Sequence, residues 1–341
     1  MCINIGRAKG INFEVMKIIK GAKEMKRSMF KTRVWLVIFI LFGMAGILYA
    51  QGKVVIGYVT YPIDQEYWVN CKKFAEEVAK ELGVTLLYTP GRERDTSNQL
   101  DIINDFITQK VDVVIVTPMD AAGIVPGIKK LNAAGIPVLG CDNIPKGGDM
   151  IATVQGDAYA GGQLIGQFIW EKSGHKPHGK LFNEMPETFS EVAYNWKHGG
   201  EDFLKQKGWT VLEQPIIPYG RTSAMEFSQK VLLANPDLDA YYSTNDDTAL
   251  GTMQTLKSTG KKSKIILCGY NALEPAVVAI KAGDMDGTVF QDSRIMVRMA
   301  IELAKVYKST PWTGTIVYKI PPVLVTKETV AWFEKKFPYY K

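Results

Sequence analysis

Histidine is scarce in this chain, and the motifs that usually mark an enzyme are missing. Only three histidines occur among 341 residues, His175, His178 and His198, and the first two share one Lys-, Gly- and Pro-rich stretch. The glycine-rich run Gly161–Gly166 falls inside a predicted helix, so it does not indicate a phosphate loop. Neither a P-loop nor a Gly-x-Ser-x-Gly motif occurs. These absences argue against a catalytic triad, a bound metal ion and a cofactor, and we expect no enzymatic activity.

Cysteine is almost as rare. The chain contains Cys2, Cys71, Cys141 and Cys268, and the first of these lies in an N-terminal segment that we expect to be removed. The three that remain are widely spaced and match neither a disulfide framework nor a zinc-binding pattern. Each is therefore expected to be a small buried apolar residue, so that stability must come from the core.

An excess of positive charge is also missing from the folded part of the chain. The net charge of +6 comes from 41 Lys and Arg against 35 Asp and Glu. Residues 1–33 alone hold nine basic and two acidic residues, which leaves 32 basic and 33 acidic residues after them. A protein that binds nucleic acid needs a basic surface on its folded domain, so no nucleic-acid partner is expected.

The apolar run Val34–Ala50 follows this basic stretch and contains no charge. Seventeen residues barely reach across a bilayer core of roughly 30 Å, and the pattern is typical of a secretory signal peptide. We therefore predict a signal segment over 1–50 and export to the periplasm or the cell exterior. An uncleaved membrane anchor remains the alternative. The basic part is long for a leader, and Met25 or Met29 would be a more usual start.

From residue 53 onward, short β-type runs alternate with amphipathic helices, which is typical of parallel sheets covered on both faces. The predicted strands are Val54–Thr60, Thr85–Thr89, Val113–Thr117, Pro137–Cys141, Ile151–Gln155, Lys180–Asn183, Thr210–Leu212, Ala240–Ser243, Ile265–Cys268 and Gly287–Gln291. The predicted helices are Tyr67–Leu82, one opening at Thr96, Ile124–Ala134, Ala158–Lys172, Val192–Lys207, Thr222–Ala234, Asp247–Thr259, Pro275–Ala282 and Ser293–Tyr307. This order predicts an α/β protein with two doubly wound parallel-sheet lobes.

Two helix starts carry a capping signal. Thr96 followed by Gln99 has the spacing of a capping box, and Asp246 is expected to cap the helix that follows it.

Polar and aromatic residues follow the predicted strands, at the edge where ligands bind open parallel sheets. Tyr67 and Trp68 follow the first strand, Asp142 the fourth, and Asn245 and Gln291 follow strands of the second unit. Amides and carboxylates bond to hydroxyls, and aromatic faces cover the C–H faces of a sugar ring. Singly, Asp142 and Asn245 are as well explained as turn formers, and Trp68 as a core residue. Their joint occurrence at the strand ends favours a polyhydroxylated ligand.

From Val54 to about Val330 the chain resembles the type I periplasmic sugar-binding proteins, the ribose- and galactose-binding group. The matching stretches are Tyr67–Leu82 (YWVNCKKFAEEVAKEL), Val113–Asp120 (VVIVTPMD), Ala134–Asp142 (AGIPVLGCD), Asn235–Gly251 (NPDLDAYYSTNDDTALG) and Ala282–Gln291 (AGDMDGTVFQ). The resemblance implies two lobes joined by a three-crossover hinge. The first lobe is expected at 53–156 plus 292–315, and the second at 157–291 plus 316–341.

The resemblance also implies ligand contacts. Tyr67 and Trp68 stand where the family stacks aromatic rings on the sugar, and Asp142, Asn245 and Gln291 match hydroxyl-binding positions. Further positions that correspond less closely are Gln65, Asn143 in place of an arginine, Lys197, Tyr219, and Tyr270 and Asn271 in place of Phe-Asp. The loss of one Arg and one Asp argues against ribose itself and leaves another pentose, a hexose, a deoxysugar or a polyol open.

The expected function is to capture a small sugar or polyol outside the cytoplasm for the permease subunits of an ABC importer, as a monomer. A sensor that reports the same ligand to a membrane receptor or kinase is the alternative. A third possibility, an enzyme acting on a nucleotide or sugar, would require chemical change of the bound ligand. A lac-repressor-type regulator is disfavoured, because the first 50 residues contain an apolar run and no helix-turn-helix.

Overall fold

The computed structural model describes residues 53–92, 95–185, 191–212 and 220–338. The predicted signal segment and Tyr219 lie outside these residues. Val54–Lys341 forms one compact unit, and within its described part no helix is both long and apolar enough to span a membrane.

Strands and helices alternate along the described residues as the sequence predicts. The strands are β1 (Val55–Thr60), β2 (Thr85–Pro90), β3 (Val113–Val116), β4 (Val138–Cys141), β5 (Ala152–Gly156), β6 (Lys180–Glu184), β7 (Thr210–Leu212), β8 (Ala240–Ser243), β9 (Ile266–Tyr270), β10 (Gly287–Phe290), β11 (Ile316–Ile320) and β12 (Val323–Thr326). The helices are α1 (Glu66–Leu82), α2 (Thr96–Gln109), α3 (Val125–Ala133), α4 (Ala158–Lys172), α5 (Glu191–Gln206), α6 (Arg221–Ala234), α7 (Asp246–Ser258), α8 (Glu274–Ala282), α9 (Ser293–Ser309) and α10 (Val330–Lys336).

The strands form two six-stranded sheets, one in each lobe. Their orders are β11-β5-β4-β3-β1-β2 and β12-β10-β9-β8-β6-β7. Every pairing is parallel except that of β12 with β10. All four residues of β3 are buried, as expected for a central parallel strand covered on both faces. The predicted doubly wound architecture is confirmed.

Each sheet has an apolar core on both faces, because alternate residues of a strand point to opposite sides. In the first lobe, Ile56 and Tyr58 of β1 share a core with α1 and α9, whereas Val59 packs with Phe106 of α2 on the other face. In the second lobe, one core contains residues of α4 and α5 and the other contains residues of α7 and α8. The predicted polar residues lie at the carboxyl edges of the sheets, where Tyr61, Tyr67 and Trp68 are buried and belong to the core of the first lobe.

The chain passes between the sheets three times, after β5, after β10 and between β11 and β12. The last passage corrects a prediction. Residues 316–341 were assigned to the second lobe, but β11 pairs in parallel with β5 of the first sheet over its whole length. The Pro-rich sequence around β11 obscures the pattern of a strand, so this edge strand was not predicted. Pro321 and Pro322 connect the two lobes at this passage. We therefore propose that the first lobe comprises residues 53–156 and 292–320. The second lobe then comprises residues 157–291 and 323–338.

Both predicted capping signals are wrong. Asp95, not Thr96, caps α2, by accepting a hydrogen bond from Ser97 N. Gln99 is instead fully buried; its amide donates to the carbonyls of Thr60 and Thr117, and its Oε1 accepts from Met119 N. It thereby joins the ends of β1 and β3 through their carbonyl groups. At the second site Asn245 is the cap, and Asp246 is the first residue of α7.

Helices α4 and α5 lie unusually close together because glycines face each other. A Cβ added to Gly162 would lie 2.1 Å from the carbonyl oxygen of Trp196, and one added to Gly199 would lie 2.2 Å from the carbonyl oxygen of Tyr159. Both obstacles are main-chain atoms, which cannot rotate away. The close approach therefore requires glycine at these positions.

We expect Gly162→Ala to lower the free energy of unfolding by about 1–3 kcal/mol, because the added methyl group forces the two helices apart. Urea denaturation of the purified protein measures the change. Gln163→Ala, at the exposed neighbouring position of the same helix, is the control and should change stability little. Equal stability of the two variants would contradict the packing argument, since alanine otherwise favours a helix over glycine.

Candidate functional site

The carboxyl ends of adjacent strands bring the predicted polar residues together. In the second sheet, Asn245 follows β8, Asn271 follows β9 and Gln291 follows β10, and these three strands are neighbours. In the first sheet Asp142 follows β4. Since ligands of open parallel sheets bind at this edge, the four side chains define the candidate site.

Asp142 is the point at which the two lobes meet. The hydroxyl of Tyr67, in the first turn of α1, donates to its Oδ2 at 2.8 Å. The amide of Gln291, at the end of β10, donates to its Oδ1 at 3.1 Å. The backbone of Asp142 is left-handed, with φ 63°, a conformation that Asp and Asn tolerate better than most residues. One carboxylate therefore contacts both lobes.

The environment of this carboxylate disfavours its charge. Burial raises the pKa of Asp142 to about 6, although the hydrogen bonds from Tyr67 and Gln291 act in the opposite direction. Within the described part of the chain no Lys, Arg or His forms an ion pair with it. Above pH 6 the site therefore holds a buried negative charge opposite neutral donors.

An aromatic wall stands beside Asp142. The ring of Tyr61 stacks on Trp68, with centroids 4.5 Å apart and planes 8° apart, and Tyr67 meets Trp68 edge-on at 4.9 Å. The predicted pair Tyr67 and Trp68 thus belongs to a group of three. Tyr61 was missed, although its position directly after β1 is the signal that selects the other site residues.

Asn245 has two separate tasks. Its Oδ1 accepts a hydrogen bond at 2.8 Å from Thr248 N and so caps α7, as the turn-forming interpretation requires. Its Nδ2 is buried and has no hydrogen-bond partner among the described residues. A buried amide group is rarely left unpaired in a folded protein, so Nδ2 is available to a ligand.

Asp246 holds the neighbouring strand end in place. Its Oδ1 accepts from the Thr288 hydroxyl and its Oδ2 from Leu273 N, both at 2.7 Å. The segment just before Leu273 has left-handed backbone at Asn271 (φ 106°) and Ala272 (φ 52°), a conformation that is unfavourable for most residues other than Gly, Asn and Asp. Asp246 is fully buried, which raises the pKa of its carboxyl well above the usual range. It is a positioning residue for Asn271.

Asn143 belongs to the same strand end as Asp142. Its amide nitrogen donates to the carbonyl of Pro118 at 2.8 Å, while its Oδ1 is buried without a partner among the described residues. Asn143 also lines a cavity of about 300 Å³ together with Asp157, Glu191 and Asn195. The cavity lies between β4, β5 and the start of α5, where both lobes contribute residues.

The remaining predicted residues, Tyr270, Lys197 and Gln65, make other contacts. The Tyr270 ring stacks on Trp196 at 4.2 Å, and its hydroxyl approaches Gly161 of α4. The ammonium of Lys197 lies 2.7 Å from the carboxylate of Glu201 in its own helix, so its charge is already neutralised. Gln65 precedes α1 in extended conformation and makes no side-chain capping bond. None of these three contacts Asp142 through a hydrogen bond or ion pair in the described chain.

A buried carboxyl group lies at the end of β6 and was not predicted. Glu184 is fully buried, and its Oε2 accepts from the Ser243 hydroxyl at 2.8 Å and from Thr252 at 3.4 Å. Burial raises its pKa to about 8. The sequence gives little warning of this group, because a Glu at a strand end is usually solvated. Among the residues that the structure describes, no cluster of three or more His, Cys, Asp or Glu could hold a metal ion.

A family model described as "Periplasmic binding protein domain" matches residues 56–309, which include β1 to β10 and both sides of the site. The chain belongs to this family. The ribose import binding protein of Bacillus subtilis is 26% identical over 249 residues, 73% of this chain and 80% of that protein. The D-allose-binding periplasmic protein of Escherichia coli is 27% identical over 244 residues, which are 67% of this chain and 76% of that protein.

Solved structures agree with this membership. The ABC transporter solute-binding protein of Bacillus halodurans with bound myo-inositol has a TM-score of 0.77 and 26% identity, over 84% of this chain and 98% of that one. The chain is therefore a type I sugar-binding protein of the kind that serves ABC transporters. Its relatives are solute-binding proteins and not enzymes.

Proposed function

We propose that the protein captures a monosaccharide or related polyol between its lobes, outside the cytoplasm, and delivers it to the permease subunits of an ABC importer. The observation that carries this proposal is a group of buried amide atoms without partners at the strand ends. The group consists of Asn143 Oδ1, Asn245 Nδ2, Asn271 Oδ1 and Gln291 Oε1. Unpaired buried polar atoms are unfavourable unless a ligand or water bonds to them.

The composition of the site suits a hydroxylated ring. Amide oxygens and the Asp142 carboxylate accept hydrogen bonds from hydroxyls, and Asn245 Nδ2 donates one. The stacked Tyr61 and Trp68 offer an apolar face near Tyr67. Relatives are named for ribose, D-allose and bound myo-inositol, which are all polyhydroxylated. The amides at Asn143 and Asn271 argue for a ligand other than ribose.

Closure of the lobes provides the signal for transport. A ligand that contacts Asp142 in one lobe and Asn245 in the other binds the closed arrangement more strongly than an open one, so that it shifts the population toward closure. The permease subunits then recognise the closed, monomeric protein. Export by the segment 1–50 is part of the proposal.

The test is thermal unfolding of the purified protein with a panel of monosaccharides, polyols, nucleosides and amino acids. A ligand at 100 times its dissociation constant stabilises the folded state by about 2.7 kcal/mol, which raises the unfolding midpoint measurably. A shift with a sugar or polyol supports the proposal. A shift only with a nucleoside or an amino acid contradicts it.

We expect Asn245→Ala and Asn245→Ser each to weaken binding of that ligand by about 5- to 150-fold, because both remove Nδ2. Only the alanine variant should also lose stability, by about 1 kcal/mol, since serine keeps a capping oxygen for α7. Calorimetric titration and urea denaturation measure the two effects separately. If the serine variant binds as well as the unchanged protein, Asn245 is a helix cap and nothing more.

A further inference from the structure

Each lobe inserts one apolar side chain into the core of the other. Phe74 of α1 belongs to the first lobe and is only 3% exposed, yet it lies in an apolar cluster of the second lobe. The other buried members of this cluster that the structure describes come from α8 and the segment before it, β10, β12 and α10: Ala272, Val277, Phe290, Val325, Val330 and Phe333. The ring of Phe74 is therefore packed into the second lobe.

The second lobe makes the reciprocal contact through Leu273, which lies between β9 and α8 and is 2% exposed. Among the described residues, the rest of its core cluster belongs to the first lobe and includes Tyr67 and Trp68. Leu273 follows the site residue Asn271 by two positions, and its backbone N–H donates to Asp246. It thereby joins the aromatic wall of the first lobe to the segment that holds Asn271.

These two insertions require the lobes to touch. Helix α1 and the segment at Leu273 are each packed into their own lobe, and close-packed cores move as rigid bodies. Rotation about the hinge would therefore withdraw both side chains from the opposite core and expose them to water. Full burial of one Phe or Leu side chain favours the buried arrangement by about ten- to a hundred-fold. Two such side chains therefore oppose the separation of the lobes.

A polar contact between the lobes contributes less. Lys146 lies in the segment after β4 and Glu191 begins α5, and their charged atoms are 3.7 Å apart. Both side chains are at least half exposed, and exposed ion pairs add little to stability. The apolar exchange is thus the larger of the two effects.

We propose that the exchange of Phe74 and Leu273 holds the two lobes together in the absence of ligand, so that the binding site is assembled before a ligand arrives. Both are positioning residues, because they act by fixing Asn245 and Asn271 of the second lobe opposite Asp142 of the first. Opening is then a brief event that admits the ligand, and a bound ligand makes it rarer. The inference concerns the protein without ligand and does not depend on the ligand's identity.

The test is small-angle X-ray scattering of the purified protein, freed of co-purified ligand by unfolding in urea, dialysis and refolding. The scattering of the unchanged protein should match that of the structure, with its lobes in contact. Phe74→Ala and Leu273→Ala should each increase the radius of gyration, because each removes one of the two insertions. Phe74→Met keeps a long, adaptable apolar side chain in the second lobe, so it should stay closer to the unchanged protein.

Phe106→Ala is the matched control. Phe106 is buried as deeply as Phe74, but the described members of its cluster all belong to the first lobe. Its loss should lower the free energy of unfolding, as the loss of Phe74 should, and yet leave the radius of gyration unchanged. Urea denaturation shows that each variant is folded and compares the losses of stability. A role in stability alone would not separate these two variants by their scattering.

Two outcomes would overturn the proposal. One is scattering of the unchanged, unliganded protein that fits separated lobes. The other is a radius of gyration for Phe74→Ala and Leu273→Ala no larger than that for Phe106→Ala. The first measurement uses the unchanged protein, so it does not depend on the folding of a variant. Because no ligand is present, either outcome leaves the proposed function to its own test with sugars and polyols.

Discussion

Asp246→Ala is expected to lower the free energy of unfolding by about 3–5 kcal/mol and to weaken ligand binding at the same time. The substitution leaves the Thr288 hydroxyl and Leu273 N buried without their acceptor, and each such loss costs about 1–3 kcal/mol. Because Asp246 holds the left-handed segment at Asn271 and Ala272 in place, its removal also frees Asn271 to leave the site.

Two neighbouring substitutions make this prediction specific. Asp246→Asn keeps one acceptor oxygen, so its loss of stability should be smaller than that of the alanine variant. Asp247→Ala removes the adjacent carboxylate, which is partly exposed and pairs with Arg221, and should cost no more than about 1 kcal/mol. Urea denaturation and ligand titration of all three variants measure both effects. Equal stability of the Asp246 and Asp247 alanine variants would refute the anchoring role.

The second large effect concerns pH and Glu184. Burial raises the pKa of this carboxyl to about 8 in the folded protein, whereas the unfolded chain has a pKa near 4.3–4.5. Between these values the folded state binds the proton and the unfolded state does not. The free energy of unfolding therefore falls as pH rises through this window, because its slope with pH is set by the difference in protons bound by the unfolded and folded states. Above the pKa of the folded state the free energy of unfolding levels off.

We expect Glu184→Gln to remove this dependence. The ionisation of Glu184 should cost about 4 kcal/mol between pH 5 and pH 9, while glutamine stays neutral and can still accept from Ser243. Urea denaturation of both proteins across that range gives the difference, in which the contributions of all other groups cancel. Parallel pH profiles for the two proteins would show that Glu184 is ionised in the fold at neutral pH.

The sequence predicts the fold well because its signals are local and repeated. Apolar runs such as β3 and the four-residue spacing of Phe74, Val78 and Leu82 reflect burial directly, and these residues are buried or packed against the core. The edge strand β11 lacks that signal, because its central residues are exposed. Its pairing with β5 depends on a tertiary contact that periodicity does not report.

The site divides along the same line. Asp142, Asn245 and Gln291 could be selected as candidate site residues because position at a strand end is visible in the sequence. Asp246 and Gln99 were misassigned, since a capping pattern describes a local bond while both side chains bond to distant strands. Tyr61 was missed although it directly follows β1 and stacks on the nearby Trp68. The stacking of Trp196 on Tyr270 joins elements far apart in the chain, which no local pattern reports.

The three cysteines of the folded unit have a practical consequence for labelling. Cys71, Cys141 and Cys268 are free thiols, buried within the lobes, and burial raises the pKa of each, that of Cys141 to about 12. Thiol reagents attack the thiolate, and burial suppresses it. A single new cysteine at an exposed position of α1 such as Val69 would then carry a fluorophore alone and make the protein an optical reporter of its own ligand.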